Sequence, residues 1–471
     1  MYKFFIETFG CQMNQLDSEI ATSGLINAGL ERAAELAAAD VIIFNTCSIR
    51  QHAEDKVYSA LGRLKQWKLQ KPAGIIGVIG CMAQKDQNKI IARAPHVDIV
   101  LGPGQLDLLA QTVHRLLNEK NNGLTTKPEI LISLTLEKNK HNNKHSATVE
   151  NFKLFDPERN TESRKNRFQA LVRIMLGCNK FCTYCIVPTV RGREQSRPPQ
   201  QILSEVQQLV EQGVKEITFI GQTVNAYKFP KTHQPQGVAD DAFRLSDLLY
   251  MSSAVNGLER IKFVTNYPTG MGDDLLTAVK DLPKVAKYLH IPAQSGSDNI
   301  LKRMKRQYTV SAYRELIDKI RQTIPSAAIT SDFIVGFCGE TEEEFAETVE
   351  LVKYCRFKNS FIFKYSERPG TKASELYKDD IPDEIKKRRN NELLAIQDEI
   401  SLELNKQFIG QKVEILVEEI SKNYNNEKIQ LSGRTNCDRI VVFDSNNKNL
   451  LGQFLEIKIQ NTTPFTLFGQ L

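Results

Sequence analysis

Short apolar runs recur along the first quarter of the chain: Phe4-Phe5-Ile6, Val41-Ile42-Ile43-Phe44, Ile75-Ile76-Gly77-Val78-Ile79 and Val97-Asp98-Ile99-Val100-Leu101. Between them apolar residues return every three or four positions. From Arg50 to Trp67, for example, Ala53, Val57, Ala60, Leu61 and Leu64 share one helical face. Runs this short alternating with helical stretches predict a parallel, doubly wound α/β sheet over residues 1–122. The pattern then fades into KNKHNNKHS and FDPERNTESRKNRF, so residues 123–166 read as a polar linker. His141 and His145 stand four apart there, and in so polar a stretch they read as solvated side chains rather than a metal pair.

A second alternation fills residues 167–408. Its strand candidates are Ala170 to Leu176, ended by Gly177, then Glu216–Ile220, Ile261–Val264, Tyr288–Ile291, Ile329–Val335 and Ser360–Lys364. Helical stretches separate most of them, including one with Ile202, Val206 and Leu209 on one face. Six β/α units predict a partial (β/α)6 barrel rather than a closed eightfold one. Residues 409–471 turn to short strands around Val413–Val417, Ile440–Phe443 and Phe454–Ile459, broken by Gly410, Gly433 and Gly452. About 60 residues of this kind predict a small β-barrel, a scaffold often used for nucleic acid. Arg434, Arg439 and Lys458 there would either meet phosphates or be solvated surface.

The cysteines change the picture most. Cys178, Cys182 and Cys185 lie in LGCNKFCTYCIVP, a C-x3-C-x2-C spacing just past the first barrel strand. Three thiolates on one tight loop can hold three irons of a cubane cluster and leave the fourth iron open to a small molecule. A ferredoxin-type cluster is normally closed by a fourth cysteine. A structural zinc also takes four ligands, and no His or Cys follows Cys185 within reach. Zinc and three merely buried thiols remain the bland alternatives. The spacing is also the signature of radical S-adenosylmethionine enzymes. Cys11, Cys47 and Cys81 each follow a successive N-terminal strand, in ETFGC, FNTC and VIGC. Strand ends of an open α/β sheet converge on one ligand-binding edge, which predicts a second three-thiolate site. Three buried cysteines would be the alternative, but Gly10 and Gly80 beside them allow a bulky inorganic group to approach.

Strand ends in the barrel carry Gly221-Gln222, His290, Gln294-Ser295-Gly296-Ser297, Asp332 and Gly336, groups suited to a nucleoside cofactor at an open iron. Ser295 or Ser297 would serve equally as a helix cap. Nine cysteines in 471 residues, with no leader segment, suggest a reducing compartment. No apolar run of about 18 residues and no charged start followed by an apolar stretch occurs, so neither a membrane span nor a signal peptide is expected, and no membrane partner. A net charge of +6 and a pI near 8.7 lean mildly toward a polyanionic partner.

The chain resembles the methylthiotransferases of the radical S-adenosylmethionine superfamily over nearly its whole length. The resemblance rests on TFGCQMNQLDSE, FNTCSIRQHAEDKV, GCMAQ, GCNKFCTYCIVPTVRGREQSR, GQTVNAY, IPAQSGSDNILKRMKRQY, DFIVGF and YSERPGTKA, in family order. The opening motifs are most similar to the bacterial (MiaB-type) branch, which converts N6-dimethylallyladenosine next to the anticodon of tRNA to its 2-methylthio derivative. The resemblance implies an N-terminal methylthiotransferase domain, a radical core and a C-terminal TRAM domain that recognises RNA. It implies two 4Fe-4S clusters, an auxiliary one on Cys11, Cys47 and Cys81 and a radical-generating one on Cys178, Cys182 and Cys185. Gln222, Gln294, Ser295 and Asp332 match positions lining the S-adenosylmethionine pocket. It assigns no catalytic side chain. Two S-adenosylmethionine molecules would serve each turnover, one as methyl donor and one as source of the hydrogen-abstracting radical. An electron donor such as flavodoxin is implied, the sulfur donor is unknown, and a cytoplasmic monomer is expected. Sister branches act on threonylcarbamoyl adenosine in tRNA or on a ribosomal-protein aspartate, and a non-catalytic iron–sulfur RNA-binding protein is the alternative outside enzymes. Thr223, Cys338 and Asn266-Tyr267-Pro268 depart from the family pattern. Cys338, Cys355 and Cys437 match no cluster position and read as packing or surface residues.

Overall fold

The computed structural model describes residues 1–48, 51–124, 126–132, 159, 161–231, 242–421 and 429–471, apart from the side chains of residues 51–53. His141, His145, Arg50 and the Ala53 side chain lie outside the described residues. The chain divides into two compact units. One comprises residues 1–165, 175–181 and 185–197, the other residues 166–174, 182–184 and 198–471.

The first unit is built on a six-stranded sheet in the order Glu31–Arg32, Lys3–Phe9, Val41–Thr46, Ile75–Gly80, Ile99–Leu101, Glu129–Leu131, every pair parallel. Val41–Thr46 and Ile75–Gly80 are buried at every residue, as unbroken apolar runs covered on both faces require. The helix Gln51–Gln70 turns Val57, Ala60, Leu61, Leu64 and Trp67 onto Ile42, Phe44, Ile76 and Val78. After Lys3–Phe9 the chain adds a strand on one side and then crosses back to build the rest on the other. That reversal puts a topological switch point between Lys3–Phe9 and Val41–Thr46, where open α/β sheets bind ligands. The last strand, Glu129–Leu131, falls inside the stretch whose composition reads as linker. It is a three-residue edge strand, half-buried, and its pairing with Ile99–Leu101 defines it rather than any apolar pattern.

The apolar run from Ala170 to Leu176 is not one strand. Gln169–Arg173 joins the barrel sheet, while Met175–Leu176 pairs antiparallel with Gln195–Ser196. Gly177, at φ +68°, turns the chain there. A Cβ at this position would lie 2.0 Å from the Arg193 carbonyl oxygen, so only glycine fits the turn.

In the second unit six parallel strands follow one another in chain order: Gln169–Arg173, Glu216–Ile220, Arg260–Phe263, then Tyr288–His290, Ala328–Val335, Asn359–Lys364. A bridge between Ile261 and Val285 and a bond from Asn266 N to the His290 carbonyl oxygen (3.3 Å) join the two halves. This is the partial barrel expected from six β/α units. Local chemistry fixes its helix starts. Thr341 Oγ1 accepts from Glu344 N (3.2 Å) while Glu344 Oε2 accepts from Thr341 N (2.9 Å), a reciprocal cap for Glu342–Cys355 worth about 1 kcal/mol.

The C-terminal strands close into a barrel in the order Lys412–Ile420, Gln430–Thr435, Ile440–Asp444, Thr466–Gln470, Phe454–Thr462. Ile415, Val417, Leu431, Val441, Phe443, Ile457, Ile459 and Leu467 fill it. Gln430–Thr435 and Thr466–Gln470 escaped the sequence pattern. The first has only one strongly apolar residue in six, and the second is a five-residue segment whose partners lie elsewhere in the chain.

This small barrel packs against the N-terminal ends of the large barrel's strands through buried charge. Glu216 meets Arg260 (3.3 Å) and Lys262 (3.1 Å), and Lys262 also meets Asp438 (3.0 Å). Asp438 further pairs with Arg434 (3.1 Å) and Lys358 (3.7 Å), and Arg434 pairs with Glu418 (3.4 Å). Arg434 is therefore partly buried and paired with carboxylates rather than freely solvated. Arg439 is buried, donates to Asn405 Oδ1 (3.0 Å) and stacks on Phe408. Lys458 alone of the three is exposed.

Asp438 gives a pH prediction. Burial would raise its carboxyl, but Lys262, Lys358 and Arg434 outweigh burial and hold it down at about 2. The resulting stabilisation, about 2 kcal/mol, is present above the ordinary aspartate value near 4 and lost as pH falls toward 2. Denaturation midpoints of the apo-protein between pH 5 and 2 should therefore fall more steeply for the native chain than for Asp438→Asn. Asp438 sits at φ +61°, where Asn is also tolerated, so the substitution changes charge without adding backbone strain. Parallel pH profiles for the two proteins would count against this role.

Candidate functional site

At the switch point of the first unit, Cys11 ends the turn after Lys3–Phe9 and stands at the N-cap of the helix Gln12–Asn27. Cys47 follows Val41–Thr46, and Cys81 opens the helix after Ile75–Gly80. Cys11 is exposed, while Cys47 and Cys81 are buried. The structure brings the three together: Cys11 is hydrogen-bonded to Cys47, and Cys11 and Cys81 feel each other's charge. The Cys47 hydrogen bond, helped by the Arg191 guanidinium, lowers the Cys11 thiol to about 6. Burial pushes the Cys81 thiol up, with Arg191 opposing it.

A buried amide network supports these turns. Asn14 Nδ2 donates to Asn45 Oδ1 (2.9 Å), and Asn45 Nδ2 donates to the Asn14 carbonyl oxygen (2.8 Å) and to Ser18 Oγ (2.9 Å). Cys11 Sγ donates to Asn14 Oδ1 at 3.3 Å. Gly80, at φ +93°, passes so close that a Cβ would stand 2.4 Å from Asn45 Oδ1. The glycine thus serves the amide network as well as any bound group.

Arg191 is the residue whose place the sequence did not reveal. It ends the short helix Val187–Arg191, which begins two residues after Cys185. Its Nε donates to Cys81 Sγ (3.2 Å) and its Nη2 to Asp17 Oδ2 (2.6 Å). Both Arg191 and Asp17 are buried. The arginine lies 110 residues from Cys81 in the chain, so no local pattern could have paired them. Ile186 and Val190 of the same segment pack against Cys81.

Around the C-x3-C-x2-C loop, Cys178 N donates to the Gly192 carbonyl oxygen (3.2 Å) within the first unit. Within the second unit, Cys182 is buried and accepts from Arg306 Nη1 at 3.4 Å. Arg306 is held there by the Pro292 carbonyl oxygen (2.9 Å) and Tyr308 Oη (2.8 Å), and lies over the ring of Tyr267. Cys185 is half-buried. Among the described residues no three His, Cys, Asp or Glu side chains are set to hold a single metal ion. A cubane makes a different demand, because it takes each thiolate on a separate iron. Cys338 and Cys355 are buried, and Cys437 is half-buried beside Thr435 and Arg439.

In the barrel, Gln222 follows Glu216–Ile220, and its Oε1 is buried without a partner among the described residues. Gln294 is buried at φ +72°, a conformation uncommon for a residue with a side chain. Its backbone is clamped to the neighbouring strand by Gln294 N to Asp332 O (2.8 Å) and Ile334 N to Gln294 O (2.9 Å). Asp332 lies mid-strand, 3.4 Å from His290 Nε2, and His290 Nδ1 is 3.0 Å from Thr330 Oγ1. His290 thus orients Asp332. Ser295 Oγ accepts from Ser297 N (3.2 Å) and lies 3.3 Å from Thr348 Oγ1. Ser297 stands at the N-cap of Asp298–Arg303 but makes no side-chain cap. Neither serine caps that helix, and Ser295 instead closes the turn that carries Gln294.

Three family matches cover most of the chain: the Radical SAM superfamily over residues 172–352, Uncharacterized protein family UPF0004 over residues 3–102, and the TRAM domain over residues 403–471. A tRNA-2-methylthio-N(6)-dimethylallyladenosine synthase of Rhodopirellula baltica is 48% identical, the match covering 99% of this chain and 95% of that protein. Proteins of the same name from Delftia acidovorans and Pseudomonas savastanoi are 42% and 41% identical. Each match spans 100% of this chain, with 98% and 99% of the relatives covered. Among solved structures, the radical S-adenosylmethionine methyltransferase TsrM from Kitasatospora setae matches with a TM-score of 0.52 at 11% identity. That match covers 90% of this chain and 79% of TsrM, and at this identity the likeness is one of fold alone.

Proposed function

Because the chain belongs to the tRNA-2-methylthio-N(6)-dimethylallyladenosine synthase family, we propose that it transfers a methylthio group to carbon 2 of N6-dimethylallyladenosine next to the anticodon of tRNA. The observation that carries the reading is the convergence of Cys11, Cys47 and Cys81 at the switch point of the first unit, in a chain that also holds the radical S-adenosylmethionine spacing.

Carbon 2 of the adenine bears an unactivated C–H bond, beyond the acid–base chemistry of side chains. Two 4Fe-4S clusters and S-adenosylmethionine, when bound, supply the one-electron and sulfur chemistry that such a bond requires. Cys178, Cys182 and Cys185 would hold the radical-generating cluster, and Cys11, Cys47 and Cys81 the auxiliary one. The lowered Cys11 thiol suits an iron ligand, which binds as thiolate. Gln222, Gln294, Ser295 and Asp332 would receive S-adenosylmethionine. The buried Gln222 oxygen, without a partner among the described residues, is an acceptor that a bound amine or hydroxyl would satisfy. Asp332, oriented by His290, offers a carboxylate, and Ser295 acts by fixing the Gln294 turn.

The finer assignments belong to the same reading. The methylthiotransferase domain runs past residue 122 to take in the strand Glu129–Leu131, the radical core spans residues 167–408 and the RNA-binding domain residues 409–471. A flavodoxin-like protein supplies electrons, and the enzyme acts as a monomer in the cytoplasm. No described helix is long and apolar enough to cross a membrane.

Nucleoside mass spectrometry of tRNA tests the substrate. Strains lacking the gene should accumulate N6-dimethylallyladenosine without its 2-methylthio form, and the cloned gene should restore it. Loss of methylthio-threonylcarbamoyl adenosine instead would move the protein to a sister branch.

A further inference from the structure

We infer that Arg191, braced by Asp17, is a positioning residue of the auxiliary site that raises the reduction potential of the centre held by Cys11, Cys47 and Cys81. The inference rests on the proposed assignment of those cysteines to a cluster.

Four observations carry it. Arg191 Nε is already aimed at Cys81 Sγ at 3.2 Å. Its Nη2 is fixed by Asp17 Oδ2 at 2.6 Å, and the Asp17 side chain is fully buried, so this ion pair, shielded from water, holds the guanidinium in place. Its Nη1 is buried with no partner among the described residues, a donor with nothing yet to bond. Finally, Ile186 and Val190 line the same spot with apolar surface, which keeps the local dielectric low and the hydrogen bond strong.

Iron–sulfur potentials are set by net charge and by hydrogen bonds to the sulfurs. A guanidinium donating to a ligand thiolate favours the more negative, reduced state of the centre. The remaining Nη1–H is the donor available to an anionic sulfur bound there. Asp17 acts in the opposite sense, because its carboxylate offsets part of the arginine's charge. The two residues should therefore move the potential in opposite directions. A merely structural role would instead make both substitutions harmful in the same way.

The experiment uses the full-length chain carrying Cys178→Ala, Cys182→Ala and Cys185→Ala, so that only the auxiliary centre can assemble. Iron content is measured after anaerobic reconstitution, and midpoint potentials follow from redox titration monitored by electron paramagnetic resonance. With Arg191→Gln the midpoint should fall below the parent, with Arg191→Lys it should recover part of the way, and with Asp17→Asn it should rise. If Arg191→Gln assembles no centre, the Arg191→Lys and Asp17→Asn midpoints decide the question. Midpoints equal to the parent, or shifts of the same sign for the arginine and aspartate variants, would overturn the inference. A parent that binds no iron would overturn the cysteine assignment instead, so the two failures are distinguishable.

Discussion

Replacing Cys178, Cys182 and Cys185 together by Ala should abolish cleavage of S-adenosylmethionine and, with it, all methylthio product. Replacing Cys11, Cys47 and Cys81 should leave some uncoupled cleavage yet also yield no product. The two triple variants lose different chemistry because the reductive step needs an iron open to the cofactor, while the sulfur-bearing step needs the second centre. Two cubanes hold about eight irons, so each variant should retain about four. Iron analysis, chromatography of 5′-deoxyadenosine and mass spectrometry of the tRNA nucleosides read all three outcomes. Full iron content in the N-terminal triple variant would falsify the auxiliary-site assignment. Methylthiolated adenosine made by that variant would remove its sulfur-carrying role even if the iron count were as expected.

The second large effect concerns the C-terminal barrel. Truncation after Ile409 removes no cysteine proposed as a ligand, so both centres would survive it if the rest of the chain folded. The structure argues otherwise. Glu418, Arg434 and Asp438 leave with the truncated segment; Arg260 and Lys262 stay behind with Glu216 as their carboxylate, and Lys358 loses Asp438. Removing one partner of a buried ion pair costs about 3–5 kcal/mol, a large share of the 5–15 kcal/mol that holds a typical domain. The truncated protein should unfold at markedly lower denaturant or aggregate, whatever its affinity for RNA. RNA recognition is therefore better tested at the exposed Lys458. Lys458→Ala should leave the melting temperature unchanged, weaken binding of dimethylallylated tRNA and reduce the salt slope by about one counterion. An unchanged slope would take Lys458 out of the RNA contact, and an intact melting profile for the truncated chain would contradict the role of the charged floor.

Much of this protein was legible before any coordinates. The alternation of apolar runs with helical stretches determined the parallel sheet and the six-strand barrel, because strands covered on both faces must be apolar throughout. The placement of Cys11, Cys47 and Cys81 at successive strand ends determined that they would meet, since parallel strands deliver their C-terminal ends to one edge. What the sequence could not determine were the relationships between residues far apart in the chain. Gln430–Thr435 and Glu129–Leu131 are strands only through their pairing. Arg434 and Arg439 look like surface cations until their carboxylate, amide and aromatic neighbours are seen. Arg191 meets Cys81 and Asp17 across more than 100 residues of chain. Periodicity reports which face of an element is apolar, and so reveals the layers. The partner of a buried charge is chosen by packing of distant segments, and only the tertiary structure decides it.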